Sequence, residues 1–203
     1  MTEIDLPALA VFVKNLDPGT YKTRIARERG IDVARDVYVE LLKLTEKVVA
    51  GYRGEVYVFF NNYLPQPDQF PFLTQYSKRL QRGSDLGEKM SGAIEELCET
   101  HKGVILIGSD CPLLSSAHLN KARKALQAND LVLGPADDGG YYLIGMNKHQ
   151  PQLFRNIEWS TSSVLEKTME KASGANFRVH LLEELYDVDH YEDWERYMEE
   201  GDK

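Results

Sequence analysis

A short apolar run that ends in an acidic turn is the central feature of this sequence. Val104–Ile107 contains only apolar side chains, and Gly108, Ser109, Asp110 and Pro112 follow. Runs of this kind, bounded by turn residues, are typical of a strand buried in a parallel sheet. Such a strand would place the Asp110 carboxylate at its C-terminal end, where ligands bind in open α/β sheets. A hard oxygen ligand there suits Mg²⁺ or Mn²⁺, which usually bind together with substrate phosphates. The structural alternative is a carboxylate that caps the turn before Pro112.

Strand and helix patterns alternate along the rest of the chain. Further apolar runs predict strands at residues 9–13, 55–60, 131–133, 141–146 and 177–181. Apolar residues at helical spacing lie between these runs and predict helices. The predicted N-caps of these helices are Asp32, Ser115 or Ser116, and Ser160 or Thr161. Strands separated by helices indicate a mainly parallel sheet with helices on both faces, in one α/β domain over residues 1–203.

Charge and composition limit the possible partners. The 203 residues carry a formal net charge of −8, which argues against nucleic acid as the main partner. A small phosphorylated ligand needs only a local cluster of cations and stays possible. No stretch approaches the ~20 apolar residues of a membrane span, and no signal-peptide pattern is present. We therefore expect no membrane span and a cytoplasmic protein. Cys98 and Cys111 do not form a metal-ligand pair or a disulfide framework.

The loop after the first predicted strand gathers cations. Lys14, Lys22 and Arg24 lie in one short segment around a Pro-Gly turn that ends at Gly19. Cations and backbone N–H groups at such a turn suit a di- or triphosphate, and Gly19 would let the backbone approach the ligand closely. Thr23, between the last two cations, belongs to the same candidate site. The alternative is a solvated basic loop.

A second candidate segment joins two predicted strands. Asp138-Gly139-Gly140 is a strong hairpin signal, which explains the glycines fully. It does not explain the carboxylate followed by Tyr141 and Tyr142, whose amphipathic rings are common both in ligand pockets and in strands. Asp138 is therefore a candidate for hydrogen bonding to the hydroxyl of an acceptor.

Two polar segments coincide with predicted helix starts. Ser160 and Thr161 are good N-caps, and Trp159 before them fits a hydrophobic staple. Asp85 precedes another predicted helix, where an acidic side chain is favourable near the positive helix end. Local chemistry therefore explains these residues by capping, and contact with a ligand is the alternative.

Two further carboxylates precede the last predicted helix. Asp187 and Asp189 alternate along an extended segment, so both would point to the same side. One of them could join Asp110 on a metal ion, while Asp189 could instead cap the helix.

Together, these motifs resemble one known family. The chain contains, in order, Asp17-Pro-Gly-x-x-Lys-Thr-Arg, Asp85-Leu-Gly, Gly-Ser-Asp110-x-Pro-Leu, Asp138-Gly-Gly-Tyr-Tyr-Leu-Ile-Gly, Trp-Ser-Thr and Asp-Val-Asp189. This order resembles the DUF2064 family of glycosyltransferase-like proteins over roughly residues 8–195. The resemblance implies a single nucleotide-diphospho-sugar transferase-like (GT-A) domain, with a Rossmann-like three-layer α/β/α fold and a mainly parallel mixed sheet. The chain is also similar to molybdopterin guanylyltransferase and 2-phospholactate guanylyltransferase.

The resemblance, with the motifs above, implies a role for each candidate. The catalytic candidates are Asp110, Asp138 and Lys22. The candidates for nucleotide or phosphate binding are Lys14, Gly19, Lys22, Thr23, Arg24 and Asp85. The acceptor-binding candidates are Gly139, Gly140, Tyr141, Tyr142, Trp159, Ser160 and Thr161. The metal-binding candidates are Asp110 with Asp187 or Asp189.

The sequence departs from related enzymes at two places. His190, Tyr191 and Trp194 stand where related nucleotidyltransferases carry Thr, Pro and Leu. A single Asp110 replaces the double Asp-x-Asp of many glycosyltransferases of this fold. Metal binding would therefore depend on Asp110 together with the distant aspartates.

The implied function is that of a Mg²⁺- or Mn²⁺-dependent transferase with a nucleotide or nucleotide-sugar donor and a small-molecule acceptor. The leading prediction is a nucleotide-sugar glycosyltransferase-like enzyme. The alternatives are a nucleotidyltransferase that joins an NTP to a phosphorylated acceptor, and a non-catalytic nucleotide-binding protein. Both transfer reactions need a clamp that stabilises negative charge growing on phosphate oxygens. The sequence leaves the donor base, the acceptor and the oligomeric state open.

Overall fold

A seven-stranded sheet forms the centre of the computed structural model, which describes residues 6–66 and 68–201. The strands are β1 Ala8–Val13, β2 Val56–Phe60, β3 Ser77–Leu80, β4 Val104–Ile107, β5 Leu131–Pro135, β6 Tyr141–Met146 and β7 Val179–Leu181. The helices are α1 Thr23–Arg29, α2 Ile31–Ala50, α3 Leu86–Cys98, α4 Ser116–Ala125, α5 Val164–Gly174 and α6 Tyr191–Gly201, with a 3₁₀ turn at Pro151–Leu153. The strand order is β3-β2-β1-β4-β6-β5-β7, and β6 alone runs antiparallel to its neighbours among these described strands. The predicted mainly parallel mixed sheet is confirmed.

The side chains of β1 show why helices cover both faces of the sheet. Leu9 and Val11 pack in a cluster with α2 and α4, whereas Ala10 and Phe12 pack in a second cluster with α3 and α5. Successive side chains of a strand point to opposite faces, so both faces of this apolar strand must be covered. Full burial of a side chain as large as that of Leu9 or Val11 contributes about 1.5–3 kcal/mol. The predicted three-layer α/β/α class is confirmed.

The longest described helix is α2, and its apolar spacing agrees with the prediction. Val37, Tyr38 and Leu41 are buried against the rest of the protein. No helix within residues 6–66 and 68–201 combines the length and apolar character that crossing a membrane requires.

The segment between β1 and α2 differs from the prediction. A loop was expected up to Arg24 and an N-cap at Asp32, but α1 begins at Thr23 and α2 begins directly after Gly30. Gly30 has a φ of 97°, which favours glycine and turns the chain between the two helices. Asp32 therefore lies inside the first turn of α2. Ile25 is the one residue of α1 that is fully buried, and a single buried position gives no helical period in the sequence.

Two other elements also differ from the prediction. β3 is an edge strand that pairs only with β2 among the described strands, and its Ser-Lys-Arg-Leu sequence has neither an apolar run nor alternation. α5 begins at Val164, so the predicted caps Ser160 and Thr161 are wrong. Ser160 has a positive φ of 64°, and the Thr161 hydroxyl donates to the Glu158 carbonyl at 2.8 Å instead of capping.

The hairpin between β5 and β6 is confirmed. The two strands pair antiparallel, and the N–H of Gly139 donates to the carbonyl of Ala136 at 3.0 Å. Gly139 has a φ of 85°, which explains a glycine at this point of the turn. The N-cap of α4 is also confirmed, since Ser115 forms a capping box with His118.

Candidate functional site

The point where the strand order reverses brings the cation loop close to Asp110. β1 leads to β2 and β3 on one side, while β4 pairs with β1 on the other side. Ligands in open α/β sheets bind at such a switch point, outside the carboxyl ends of the strands. Here Lys14 Nζ lies 4.0 Å from Asp110 Oδ2, and Lys22 Nζ lies 2.5 Å from Asp110 Oδ1.

Lys22 is built into the protein rather than extended into solvent. Only 2% of its side chain is exposed, and its backbone is left-handed with a φ of 42°. Its Nζ also donates to the carbonyl of Val188 at 2.5 Å, and the Val188 N–H donates to the Asp110 carbonyl at 2.9 Å. A buried ammonium group is tolerated when it is paired and hydrogen-bonded, as it is here. Lys22 therefore joins the cation loop, Asp110 and the segment 187–189.

The two carboxylates nearest this junction have opposite electrostatics. For Asp110, burial raises the pKa, but the charges of Lys22 and Lys14 outweigh it and the net shift is downward. For Asp187, burial and then the negative charge of Asp110 raise the pKa to about 7. Asp110 is therefore an anion at neutral pH, while Asp187 titrates near neutrality beside it.

Asp187 and Asp189 occupy different environments although both line the same groove. Asp187 is held near Asp110, whose charge acts on it directly. Asp189 forms an ion pair with Arg24 at the exposed side of the groove, and its backbone N–H donates to the Asp193 carboxylate at 2.9 Å. The predicted cap at Asp189 is therefore wrong, because Asp193 is the carboxylate that accepts from the backbone at the start of α6. Of the two candidates for the second metal ligand, Asp187 is the one that lines both cavities together with Asp110 and whose pKa the Asp110 charge raises.

Two adjoining cavities form a groove along the carboxyl edge of the sheet. The outer cavity has about 530 Å³ and lies between the cation loop, the hairpin turn and residues 159–162. The inner cavity has about 410 Å³ and extends under α3 toward β1 and β4. Both volumes lie in the range of small-molecule sites. The charged junction lies between the two cavities, because the residues that line both are Lys14, Leu86, Met90, Asp110, Tyr141, Ser160 and Asp187.

Most of the predicted acceptor residues line this groove. Asp138, Gly140, Tyr141 and residues 159–161 line the outer cavity. Tyr142 lines the inner cavity, and its hydroxyl donates to the Glu183 carbonyl at 3.0 Å. Gly139 lines neither cavity.

Two glycines bring the walls of the groove together. A Cβ added to Gly139 would overlap the backbone of Ser162, so this glycine packs the hairpin turn against the loop before α5. A Cβ added to Gly87 would overlap the indole ring of Trp159. Trp159 therefore lies directly on the first turn of α3, where it joins the acceptor loop to the helix beside the inner cavity.

Two predicted phosphate-binding residues lie outside the groove. Gly19 has a φ of 86°, and a Cβ added there would meet nothing within 4 Å. The positive φ explains the glycine at this turn, and Gly19 lines neither cavity. Asp85 is the N-cap of α3, and its Oδ1 accepts from the Glu88 N–H at 2.8 Å. Thr23 and Arg24 do line the outer cavity, as do Lys14 and Lys22.

The inner cavity contains polar residues that the sequence analysis did not single out. Asn61 and Gln81 follow β2 and β3 directly, at the same sheet edge as Asp110. The Gln81 amide donates to the carbonyls of Val13 and Phe59 at 3.3 and 2.9 Å. The position of Asn61 directly after a predicted strand could have indicated a residue of the site. Gln81 has the same position after β3, but β3 is not recognisable as a strand in the sequence.

The donor set near Asp110 fits a hard divalent cation that is shared with a substrate. Among residues 6–66 and 68–201, no three His, Cys, Asp or Glu side chains are grouped so that they could hold a metal ion. Asp110 and Asp187 nevertheless line the same two cavities, and burial and then the negative charge of Asp110 raise the pKa of Asp187. Mg²⁺ is commonly held by one or two carboxylates, with water and substrate phosphates completing its coordination.

Comparisons with known proteins agree with this architecture. The structure of a proposed nucleotide-diphospho-sugar transferase from Desulfovibrio desulfuricans G20 superposes with a TM-score of 0.85 at 32% identity, covering 94% of this chain and 84% of that one. Rv0371c from Mycobacterium tuberculosis H37Rv, solved as a complex with manganese, gives a TM-score of 0.59 at 13% identity over 95% and 98% of the two chains. The 4-diphosphocytidyl-2C-methyl-D-erythritol synthase of Anaerococcus prevotii DSM 20548 gives 0.56 at 12% identity over 95% of each chain. The last two similarities, at such low identity, concern the fold alone.

The comparison with family models finds one match, over residues 44–161, described as an uncharacterized protein conserved in bacteria (DUF2064). No match was found among curated proteins. The family model covers more than half of the chain, and the predicted recognition is confirmed. Together with the fold, the comparisons support the predicted class of enzyme, a transferase. The chain belongs to the DUF2064 family.

Proposed function

We propose that this protein is a divalent-metal-dependent transferase that moves a sugar from a nucleotide-activated donor to a small-molecule acceptor. The observation that carries the proposal is the junction of Lys22, Lys14, Asp110 and Asp187 at the switch point of the sheet, between two connected cavities. The relative with 32% identity, itself a proposed nucleotide-diphospho-sugar transferase, supports the sugar nucleotide as donor.

The cations would bind the phosphates of the donor. Lys14, Lys22 and Arg24 line the outer cavity on the side of the loop after β1. In group transfer the bond between the sugar carbon and a phosphate oxygen breaks, so negative charge grows on the departing diphosphate. Cations already positioned at that oxygen stabilise the transition state without further reorganisation.

Asp110 and Asp187 would hold Mg²⁺ or Mn²⁺. When bound, the ion supplies positive charge for the diphosphate and helps to orient it. Manganese is the metal in the complex of Rv0371c, which shares the fold. Asp189 would orient Arg24 through their ion pair rather than bind the metal.

The opposite wall of the outer cavity would bind the acceptor. The Oδ1 atom of Asp138 accepts from the Gly140 N–H at 2.8 Å, which holds the carboxylate at the cavity. We assign Asp138 to the acceptor hydroxyl: the hydroxyl oxygen would attack the sugar carbon, the Asp138 carboxylate would accept its proton, and the nucleoside diphosphate would leave. Tyr141 and residues 159–161 would form the surface against which the acceptor lies.

Nucleotidyl transfer is the second candidate, because the same cations and carboxylates would serve an NTP. The 4-diphosphocytidyl-2C-methyl-D-erythritol synthase of Anaerococcus prevotii DSM 20548 shares the fold at 12% identity. In this reaction a phosphorylated acceptor attacks the α-phosphate and pyrophosphate leaves. The products separate the two candidates: a nucleoside diphosphate indicates sugar transfer, and pyrophosphate indicates nucleotidyl transfer.

The predicted cytoplasmic location stays a prediction.

The test uses purified protein with a panel of nucleotide sugars and NTPs, a mixture of acceptors, and Mg²⁺ or Mn²⁺. We expect metal-dependent product release that falls about 10²–10³-fold in Asp110→Asn, because charge stabilisation at the phosphates is lost. Asp187→Asn should lose activity similarly, and it leaves the Lys22–Asp110 pair intact. Asp130→Asn is the matched control, since this exposed carboxylate pairs with Arg178 and lines neither cavity.

Folding of each variant is checked by circular dichroism and thermal unfolding. Full activity in both Asp110→Asn and Asp187→Asn would contradict the proposal. Binding of nucleotides without turnover over the whole panel would instead favour the non-catalytic nucleotide-binding protein.

A further inference from the structure

The cations and carboxylates of the outer cavity are already paired with one another. Lys22 Nζ lies 2.5 Å from Asp110 Oδ1, and Lys14 Nζ lies 4.0 Å from Asp110 Oδ2. Arg24 pairs with Asp189. Each cation suited to a phosphate therefore stands against a carboxylate at or beside the proposed metal site.

We propose that Lys22 is an intramolecular counter-ion of Asp110, and that the groove consequently takes a divalent metal ion and a diphosphate as a pair, while it binds either one alone weakly. This inference rests on the proposed function. It goes beyond it by giving Lys22 a second role, that of a built-in cation that opposes binding of the metal ion until a diphosphate is present.

A metal ion that binds without a diphosphate is repelled by the ammonium group of Lys22, which already pairs with the Asp110 carboxylate. The two charges share Asp110, and the side chain of Lys22 is almost completely buried, so solvent screens their repulsion poorly. Lys22 is also held in place, because its Nζ donates to the Val188 carbonyl at 2.5 Å.

A diphosphate alone meets an excess of carboxylates. Within the described residues, the side chains lining the outer cavity include the cations Lys14, Lys22 and Arg24. The carboxylates lining it are Asp110, Asp138, Asp187 and Asp189. The cations available to a diphosphate are already neutralised by these carboxylates. The diphosphate would also lie near carboxylates that carry the same negative charge as its own. A metal ion bound at the same time would neutralise Asp110 and Asp187 and free the charge of Lys22 for the phosphate.

The two ligands should therefore raise each other's affinity. Coupling between two sites is reciprocal and typically amounts to a factor of about 5–150. Removal of the Lys22 ammonium should uncouple them, because the metal would no longer meet a competing cation. A lysine that only bound phosphate would give a different result: its loss would weaken diphosphate binding and leave the affinity for metal alone unchanged.

The experiment measures Mn²⁺ binding to the whole protein at pH 8 from the loss of the free-ion electron paramagnetic resonance signal. Titrations are made with and without UDP or GDP, and the Mn²⁺ bound by each nucleotide in buffer is subtracted. For the wild type we expect the nucleotide to raise Mn²⁺ affinity at least tenfold. For Lys22→Met we expect Mn²⁺ alone to bind at least tenfold more tightly than to the wild type, with a smaller further gain from the nucleotide. Lys121→Met is the matched control, since it breaks an exposed pair with Glu183 outside the groove and should behave as the wild type.

Two results would overturn the inference while leaving the proposed function intact. One is independent binding of Mn²⁺ and nucleotide to the wild type, which needs no variant. The other is a folded Lys22→Met protein that binds Mn²⁺ no more tightly than the wild type does. If neither Mn²⁺ nor any nucleotide bound the wild type, the proposed function itself would be contradicted, and this inference with it.

Discussion

At the scale of single residues, the groove keeps one carboxylate charged and a second one close to its titration point. Lys22 and Lys14 stabilise the charged form of Asp110, whereas burial and the negative charge of Asp110 destabilise the charged form of Asp187. The pKa of Asp187 is about 7 in the folded protein, against an ordinary value of 3.8. Protonation of Asp187 therefore stabilises the folded state relative to the unfolded state. This contribution is complete below about pH 4 and is lost as the pH rises through 7.

Asp187→Asn should therefore stabilise the protein at pH 8 and change little at pH 4. We expect a gain in the free energy of unfolding of roughly 1–4 kcal/mol at pH 8, because the variant never places a second charge beside Asp110. Urea unfolding in EDTA at pH 4, 6 and 8 measures this difference. Asp189→Asn is the control and should show no such rise with pH, since Asp189 is exposed and paired with Arg24. An equal difference between Asp187→Asn and wild type at all three pH values would contradict the assignment.

At the scale of elements, the first turn of α3 is shaped by the loop before α5. Gly87 leaves space for the indole of Trp159, which also stacks on Phe154. Alanine favours a helix interior over glycine by about 1 kcal/mol, but overpacking costs about 1–3 kcal/mol, so Gly87→Ala should be destabilising. Gly92→Ala on the same helix has no atom closer than 3.5 Å to the added Cβ and should stabilise by about 0.5–1 kcal/mol.

A double-mutant cycle tests whether Trp159 causes the difference. In a Trp159→Ala background, Gly87→Ala should no longer be destabilising, with a coupling of at least about 1 kcal/mol measured by thermal or urea unfolding. Additive effects of the two substitutions would show that the indole does not limit the space at Gly87.

At the scale of the whole molecule, a ligand that binds the junction should stabilise the entire fold. The groove is built from the ends of β1, β2, β3 and β4, the hairpin turn and the segment 187–189. A ligand present at 100 times its dissociation constant adds about 2.7 kcal/mol to the free energy of unfolding. For a chain of this size that corresponds to roughly 5–10 °C in the unfolding temperature.

Thermal unfolding with nucleotide sugars, NTPs and nucleoside diphosphates, each with and without Mg²⁺ or Mn²⁺, measures this stabilisation. We expect a shift that requires both metal and nucleotide, larger for nucleotide sugars than for NTPs. A larger shift with NTPs would favour nucleotidyl transfer. No shift for any ligand would contradict the proposed site.

Local sequence was sufficient for the strands buried on both faces and for the hairpin, because continuous apolar runs and an Asp-Gly-Gly turn allow few other structures. It also placed Asp110 and the cation loop at one edge of the sheet, since parallel strands end on the same side. The tertiary structure alone revealed the burial of Lys22, the difference between Asp187 and Asp189, and the contact of Gly87 with Trp159. It also revealed β3 and the inner cavity behind Asp110. The physical reason is distance along the chain: these features depend on burial and charge between segments far apart in sequence, whereas the patterns that predicted the strands are local.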